Sequence, residues 1–464
     1  MLRKILIISL LQTLFCVANA QVLDGLNSGL GGNNDGVKVY NSLEEALKEP
    51  EKVFKLDMAR YGQDPWGTDN TAAGGLTELS DQIGKLINLQ ELDLSQNQLS
   101  EFPTAITKLK KLKVLKINDN QFSSLPYFIG ELESLEVLSV SGNSLMMLPA
   151  EIGNLKKLKT FVLDHNQLYT MPAEIGSLTS LQELILSSNM VSVLPAEMGK
   201  LTKLQKLHLS DNKLESLPSE IGSMSSLEEL DLSSNSLKNL PDAVGYLPKI
   251  QSLNLSLNNM ITLPKEIGNL KTLSKVDLSY NQINVIPASI GGWKSVSDLD
   301  LGNNYLETLP PEIGGLTNLV SFDLNANQLK TLPAEIGQLK NLTDLVLWSN
   351  KLETLPAEIG GLASLVNLDL NTNKIKTLPA EIGNLPNLQV LILWGNELAA
   401  LPDKICDMQS ILALDLNTNK LSKMPENIGK LTNLLILNLS KNNVGTDEKA
   451  RLKTLLENTE LSFE

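Results

Sequence analysis

The sequence predicts an α/β solenoid with one concave parallel β-sheet, convex loops or short helical turns, and a helical cap at each end. Three observations support this fold class. An asparagine recurs every 23 residues through sixteen successive units. Aliphatic residues alternate with other residues just before each asparagine, as in a short β-strand with one buried face. Segments with helical patterns flank the repeats and can cover the two open ends of the sheet.

Each repeat is numbered from its asparagine, which we call position n. Aliphatic residues stand at n−8, n−5 and n−3, and mostly at n+2, while proline occupies n+6 in fifteen units and glycine occupies n+10 in thirteen. One unit cannot bury its own apolar face, so successive units must stack around a shared core. The defining residues are Asn97, Asn120, Asn143, Asn166, Asn189, Asn212, Asn235, Asn258, Asn281, Asn304, Asn327, Asn350, Asn373, Asn396, Asn419 and Asn442.

The recurring polar and small residues have distinct expected roles in this stack. The asparagine amide offers both donors and an acceptor, so we expect it to bridge backbone groups of neighbouring repeats. Proline at n+6 suits an extended convex segment that needs no backbone donor. Glycine at n+10 suits a tight backbone position. Cys406 replaces that glycine once, and we expect a small buried apolar side chain there rather than a nucleophile.

The repeat text resembles a known family. The segment "LQELILSSNMVSVLPAEMGK" at 181–200 is a representative unit. It resembles the 23-residue "LPAEIGxL" type of leucine-rich repeat, seen in bacterial proteins, in Ras-binding scaffolds and in disease-resistance-like proteins of animals and plants. The resemblance spans roughly residues 76–445 and implies a horseshoe that binds proteins. It names no partner, and Ras binding does not carry over because an exported chain would not meet a cytosolic GTPase.

The N-terminal residues predict export. Residues 1–20 combine a basic start, an apolar stretch and an Ala-Asn-Ala cleavage site, which together predict a secretory signal peptide too short to span a membrane stably. A bacterial protein of the periplasm, the cell surface or the medium fits this pattern. Residues 21–39, rich in glycine and asparagine, predict a flexible leader.

A cap is expected on each side of the repeat array at 76–445. The N-terminal cap, 40–75, should contain a short helix started by Ser42, a degenerate first strand at 53–58 and an inserted loop at 62–74. The C-terminal cap, 446–464, should contain a helix and a closing strand or tail. That helix should bury one apolar stripe made of Leu452, Leu455 and Leu456.

Composition and charge exclude several classes of function. Lysine and arginine number 39 against 53 aspartates and glutamates, a net charge of −14, which disfavours nucleic acid or anionic membrane as a partner and favours a basic protein. Two histidines and two cysteines leave no zinc or thiol redox motif, and no cofactor is predicted. No catalytic triad or phosphate-binding loop appears, and no room remains outside the repeats for a catalytic domain, so we do not expect an enzyme.

Two tryptophans mark the candidate partner-binding site. Trp348 and Trp394 both occupy n−2, one of the positions (n−6, n−4 and n−2) that alternate with the buried ones and so face the concave surface. The strand spacing puts them roughly 10 Å apart, two strands along the sheet. Trp293 differs, because it occupies a leucine position at n+12 and should be buried. The residues expected to surround the pair are Val346, Ile392, Asp323, Asp369, Asp415, Asn325, Asn371 and Asn417.

This pattern leaves alternatives open. The tryptophan pair could contact a partner, could be neutral drift after a 46-residue duplication, or could mediate self-association. Exposed aromatic residues rimmed by polar groups are typical of protein interfaces and equally of surfaces that stack sugars. The sequence therefore predicts a protein-binding module. A cell-surface carbohydrate-binding protein and a self-associating envelope protein are its alternatives.

Two other groups of concave residues deserve a hypothesis of their own. Apolar slots at Val137, Val162 and Ile185 lie near His165 and His208 in sequence, but solvent-facing variation explains these histidines better than a site does. In addition, three consecutive repeats place aspartate at n−4, and this column should repel itself and raise its own pKa values. It is either the common text of the repeat or a site for a cation or basic partner. The three residues are Asp277, Asp300 and Asp323.

Overall fold

Nineteen short strands form the concave layer of the solenoid. The computed structural model describes residues 36–59 and 75–464; the predicted signal peptide 1–20, nearly all of the predicted leader and the inserted loop 62–74 lie outside them. The strands are β1 Val39–Tyr40, β2 Lys55–Asp57, β3 Glu91–Asp93, β4 Val114–Lys116, β5 Val137–Ser139, β6 Thr160–Val162, β7 Glu183–Ile185, β8 Lys206–His208, β9 Glu229–Asp231, β10 Ser252–Asn254, β11 Lys275–Asp277, β12 Asp298–Asp300, β13 Ser321–Asp323, β14 Asp344–Val346, β15 Asn367–Asp369, β16 Val390–Ile392, β17 Ala413–Asp415, β18 Ile436–Asn438 and β19 Glu460–Ser462.

Each strand pairs in parallel with the next one along the chain. The register between repeats is constant, so position n−4 of one repeat lies beside n−4 of the next, as Val346 lies beside Asp369. The predicted solenoid with a concave parallel sheet is confirmed.

The convex layer consists of 3₁₀ turns, one per repeat. Two short α-helices, α1 Leu43–Ala46 and α2 Thr446–Leu455, lie near the two ends of the described chain. The 3₁₀ turns are Pro50–Lys52, Asp81–Lys85, Thr104–Lys108, Tyr127–Glu131, Ala150–Asn154, Ala173–Ser177, Ala196–Lys200, Ser219–Ser223, Asp242–Tyr246, Lys265–Asn269, Ala288–Gly292, Pro311–Gly315, Ala334–Gln338, Ala357–Gly361, Ala380–Asn384, Asp403–Asp407 and Ile428–Lys430.

The core is a stack of identical apolar layers. In the repeat of Asn350, the side chains of Leu345, Leu352 and Leu362 are buried, as are those at the remaining aliphatic positions. Trp293 is buried at n+12 as predicted, and its indole Nε1 donates to the carbonyl of Ile267, 2.7 Å away. Because all layers are continuous, the repeats form a single core rather than a series of separate ones.

The asparagine side chains link successive repeats, as expected. Asn258 is 6% exposed; its Nδ2 donates to the carbonyls of Leu255 and Ser256 in its own repeat and to Leu232 in the repeat before. Its Oδ1 accepts from the backbone N–H of Leu237, 2.9 Å away, also in the preceding repeat. The same four contacts recur along the array, so each amide satisfies buried backbone groups of two repeats at once.

Proline and glycine shape the convex turn. Pro264 precedes its 3₁₀ turn with φ −63° and ψ 150°, and its carbonyl accepts from Ile267 N–H. A Cβ on Gly268 would stand 2.1 Å from the carbonyl oxygen of Ser289 in the next repeat, so only glycine allows the turns to stack this closely. Cys406, which takes this slot once, is buried as predicted, and the following repeat has a shorter turn, Ile428–Lys430.

Every repeat also contains a left-handed residue at n−1, which the sequence analysis did not anticipate. Fourteen non-glycine residues and two glycines hold this position, with φ between 48° and 68°. The slot is mostly filled by small or polar residues that tolerate this conformation, such as Ser234 and Asn303. Leu257 and Tyr280 are bulky exceptions.

The two ends confirm the helical caps and correct two details. Ser42 caps α1 by accepting from Glu45 N–H, and β19 pairs with β18. The leader was expected to reach residue 39, but Val39 already pairs with β2. Leu455 was expected to be buried, but it is 41% exposed, because α2 ends there and docks mainly through Leu452 and Leu456.

Replacing Asn258 by alanine tests the side-chain ladder. Asn258→Ala leaves backbone groups of two repeats without partners, so we expect the free energy of unfolding to fall by about 1–3 kcal/mol. The measurement is the urea midpoint followed by circular dichroism. Asn259→Ala is the matched control, since Asn259 is the exposed neighbour. Equal midpoints for both variants would contradict the bridging role.

Removing residues 446–464 tests the C-terminal cap. The deletion removes Leu452 and Leu456 from the last repeat and frees the edge of β18, so we expect concentration-dependent self-association. Light scattering over a range of protein concentrations measures it. Leu455→Ser should remain a monomer, because that side chain is already exposed. A soluble monomer after truncation would show that the cap is dispensable.

Candidate functional site

The concave surface is built from three outward positions of each repeat. Residues n−6 and n−4 are the first and last of each three-residue strand, and n−2 follows two residues later. The backbone remains paired beyond the strand: Ser349 N–H donates to the carbonyl of Asn371, and Thr372 N–H donates to that of Trp394, both at 2.9 Å. Position n−2 therefore forms a regular row, in which Trp348, Asn371 and Trp394 are consecutive.

The two tryptophans differ in exposure. Trp394 is 41% exposed, whereas Trp348 is half-buried. Val346 and Ile392 precede them at n−4 on β14 and β16. These two strands alternate with β13, β15 and β17, which carry aspartate at n−4 and asparagine at n−2. The structure thus places all the predicted site residues on one side of five adjacent strands.

The aspartate and asparagine of each polar strand bind each other. Asp369 Oδ1 accepts from both the backbone N–H of Asn371, at 3.0 Å, and its side-chain Nδ2, at 2.7 Å. Asp323 holds Asn325 in the same way, and Asp415 accepts from the backbone N–H of Asn417. These bonds hold the polar groups against the backbone and leave the tryptophans as the large side chains of the patch.

Four of the predicted site residues are less accessible than expected. Val346, Asn325, Asp369 and Asn371 are each less than 10% exposed. These slots face the concave surface, but neighbouring strands about 4.8 Å apart let adjacent side chains shield one another. Asp323, Asp415, Asn417 and Ile392 keep part of their surface accessible.

The column of aspartates at n−4 behaves as the sequence analysis expected for two of its three members. Burial, together with the charges of Asp323 and Asp277, raises the pKa of Asp300 to about 7. Burial also raises the pKa of Asp323, although hydrogen bonds from Asn325 oppose the shift. Further along, burial raises the pKa of Asp369 to about 6. Part of this surface is therefore protonated near neutral pH.

The second candidate region does not form a binding pocket. Val162 and Ile185 are buried, at 7% and 4% exposure. His165 projects into solvent beside Asp164. His208 lies 3.2 Å from the carboxylate of Glu229; burial lowers its pKa, but the contact with Glu229 outweighs burial and the pKa is raised. The two histidines serve different local contacts.

The structure adds a feature that the sequence analysis missed. Leu257 and Tyr280 occupy the left-handed n−1 slot and are 52% and 55% exposed. A signal was present in the sequence, since the other fourteen repeats place small or polar residues there. It was overlooked because n−1 follows the strand and belongs neither to the alternating pattern nor to the core.

Neither a metal-ligating cluster nor a membrane-spanning helix is found in the described part of the chain. Within residues 36–59 and 75–464, no three histidine, cysteine, aspartate or glutamate side chains cluster closely enough to hold a metal ion. No helix in these same ranges has the length and apolar character needed to cross a bilayer.

Family models match most of the repeat array. A model of a leucine-rich repeat region matches residues 69–144, 111–209 and 367–462. A model of a leucine rich repeat matches 202–260, 271–329 and 317–375. No enzymatic family is indicated among these matches. No curated protein matches the chain significantly by sequence.

Solved structures with the same fold include proteins of bacteria and plants. A leucine-rich repeat protein of Leptospira interrogans is 38% identical over 92% of this chain and 100% of its own, with a TM-score of 0.71. The Arabidopsis receptor kinase HAESA, solved with the peptide hormone IDA and the co-receptor SERK1, is 28% identical over 79% of this chain and 68% of its own, with a TM-score of 0.58. The plant peptide hormone receptor RGFR1, in complex with RGF2, is 26% identical over 83% and 76%, with a TM-score of 0.55.

Replacing Asp300 by asparagine tests the electrostatic strain in the column. Because the folded pKa of about 7 exceeds the unfolded value of about 3.9, the folded protein binds the proton more tightly between these values. The stability that this proton binding gives to the folded protein is fully present below about pH 4 and is lost as the pH rises through about 7. Asp300→Asn should therefore be more stable than the parent at pH 8, by on the order of 1–4 kcal/mol, and similar at pH 4.

The asparagine should fit, since Asn254 and Asn438 already occupy n−4 and accept the equivalent backbone hydrogen bond. Urea unfolding at pH 4, 6 and 8 measures the effect. Asp298→Asn is the control, because Asp298 is exposed at the start of the same strand. It should change the free energy of unfolding by less than about 0.5 kcal/mol. If the difference in free energy of unfolding between the parent and Asp300→Asn does not grow with pH, ionised Asp300 does not destabilise the folded protein.

Proposed function

Because this chain belongs to the leucine-rich repeat family, we propose that it is a non-catalytic, exported binding protein whose concave surface around Trp348 and Trp394 holds a protein ligand. The exposure of Trp394 is the observation that carries the proposal. A large aromatic side chain in water at 41% exposure is unfavourable for solubility, yet it is characteristic of an interface anchor. The outward slot n−2 imposes no structural need for it, since all other repeats place serine, asparagine, aspartate or glycine there.

The arrangement around the tryptophans supports a protein partner. Strands β14 and β16, which carry Val346 and Ile392 at n−4, alternate with polar strands whose aspartates and asparagines bind each other. This gives an apolar centre with a polar surround and little side-chain freedom to lose on binding, which favours affinity. The net charge of −14 and the concave aspartates favour a partner with basic groups.

Related structures support the same class of function. HAESA and RGFR1 were solved with peptide ligands, IDA and RGF2. Those ligands belong to those proteins, and only the coarse property of binding a polypeptide is carried over to this chain. Export rests on the predicted signal peptide 1–20, which agrees with a receptor-like role outside the cytoplasm.

Carbohydrate binding is the second candidate, because an exposed indole face can stack on a sugar ring. The hydrogen bonding at Asn371 argues against it. Its Nδ2 donates to Asp369 and its Oδ1 accepts from Thr372 Oγ1, so the amide between the two indoles is already engaged. A self-associating envelope protein remains the third candidate, although like charges would oppose contact between two copies.

Proximity crosslinking in cells of the source organism tests the proposal. The parent protein is compared with a Trp348→Ala/Trp394→Ala variant, and Tyr127→Ala/Tyr246→Ala is the control that removes exposed aromatic residues from the convex turns. We expect specific protein partners that disappear only with the tryptophan variant. An unchanged set of partners would exclude the tryptophan patch as the site. Capture of glycans or of the chain itself would favour the second or third candidate.

A further inference from the structure

Five exposed apolar side chains lie on the loops that follow strands β10, β11 and β12. We call them the rim patch: Leu257, Ile261, Tyr280, Val285 and Tyr305, each 48–55% exposed. They belong to three consecutive repeats. Backbone hydrogen bonds hold these loops side by side, as from Tyr305 N–H to the carbonyl of Ile283 at 2.9 Å. The patch is therefore a surface of fixed shape.

Two of these residues stand in a conformation that their side chains disfavour. Leu257 has φ 56° and Tyr280 has φ 54°, in the left-handed slot where the next repeat places Asn303. Neither side chain contributes to the core, because both are more than half exposed. Folding alone would be better served by asparagine or serine at both positions. Their presence points to contact with something outside the chain.

The rim patch adjoins an acidic part of the concave sheet. On strands β11 to β14 the outward residues include five aspartates (Asp277, Asp298, Asp300, Asp323 and Asp344) and one basic residue, Lys275. Three residues of chain, at most about 11 Å, separate Asp277 from Tyr280. On the patch loops the charged residue Glu307 is paired with Lys330, 2.7 Å away. An apolar surface and a carboxylate column therefore lie side by side in the same repeats.

We propose that the rim patch and the column Asp277–Asp300–Asp323 form one docking surface for a polypeptide segment in which lysine or arginine alternates with aromatic or aliphatic side chains. This inference rests on the proposed function, since it names a further part of the surface that the ligand covers. The basic side chains reach the carboxylates, and guanidinium groups fit them best because they bind carboxylates bidentately. The apolar side chains cover Leu257 and Tyr280.

Charge selects this occupant over others. A cation beside Asp300 relieves the mutual repulsion of the column: burial raises the pKa of Asp300 most, and the charges of Asp323 and Asp277 raise it further. A second copy of this acidic chain would increase the repulsion instead. A purely apolar partner would leave the carboxylates desolvated without compensation.

The geometry also bounds the length of the segment. Five strand spacings, about 24 Å, separate the repeat of Tyr280 from that of Trp394. An extended segment of about seven residues covers this distance, so one ligand can contact both the rim patch and the tryptophans.

The test is a selection of random twelve-residue peptides on the full chain without residues 1–20, at 0.15 M salt. The enriched peptides are synthesised, and their Kd values are measured by fluorescence anisotropy. We expect enriched peptides to interleave lysine or arginine with apolar residues. Leu257→Asn/Tyr280→Asn should weaken binding about tenfold or more, and Asp300→Asn/Asp323→Asn should weaken binding and reduce its salt dependence. The first variant should keep or raise the urea midpoint, since asparagine suits the left-handed slot.

A control variant and a comparison with the tryptophan variant make the outcome decisive. Tyr127→Asn/Tyr246→Asn removes exposed tyrosines from the convex turns and should leave Kd unchanged. Enrichment of peptides without basic residues, enrichment of none, or a Kd of the Leu257→Asn/Tyr280→Asn variant within twofold of the parent overturns the inference. Loss of binding in Trp348→Ala/Trp394→Ala with an unaffected rim variant would refute the docking surface while the proposed function stands. The reverse pattern would refute the tryptophan site.

Discussion

The asparagine side chain at position n is the interaction on which the whole array depends. Its amide satisfies carbonyls of its own repeat and of the preceding one, and it accepts an N–H from that preceding repeat. These partners are buried, so each would lose a hydrogen bond without replacement by water if the amide moved. An inserted or deleted residue would move it. This constraint explains why the 23-residue step runs without a slip through sixteen units.

A backbone held this firmly leaves the outward positions free to vary. The parallel sheet, the asparagine ladder and the stacked convex turns determine the path of the chain with little help from residues at n−6, n−4, n−2 and n−1. Such a scaffold tolerates an unfavourable residue, because the surroundings determine its conformation. The scaffold therefore tolerates Leu257 and Tyr280 in the left-handed conformation and Trp394 in solvent. A few such side chains therefore distinguish parts of an otherwise uniform surface.

Constant register also makes neighbouring repeats electrostatically dependent on each other. Identical slots lie beside one another, so a residue repeated in consecutive units forms a column. At n−4 the aspartates form such a column: burial raises the pKa values of Asp300 and Asp369 most, and the charges of neighbouring aspartates raise them further. The same geometry brings two tryptophans into one row with Asn371 between them. Periodicity thus turns single substitutions into extended surfaces with collective properties.

Sequence by itself determined the period, the strands, the shared core, the caps and the direction of each side chain near the strand, because all of these follow from local alternation repeated at a fixed step. It also identified the tryptophan pair and the aspartate column. Only the tertiary structure decided how deeply outward residues such as Val346 and Asp369 are buried, that Val39 joins the sheet, that Leu455 stays exposed, and that n−1 is left-handed. These properties depend on the distance to neighbouring repeats and on where each loop turns, and such contacts between residues far apart in the chain have no local pattern.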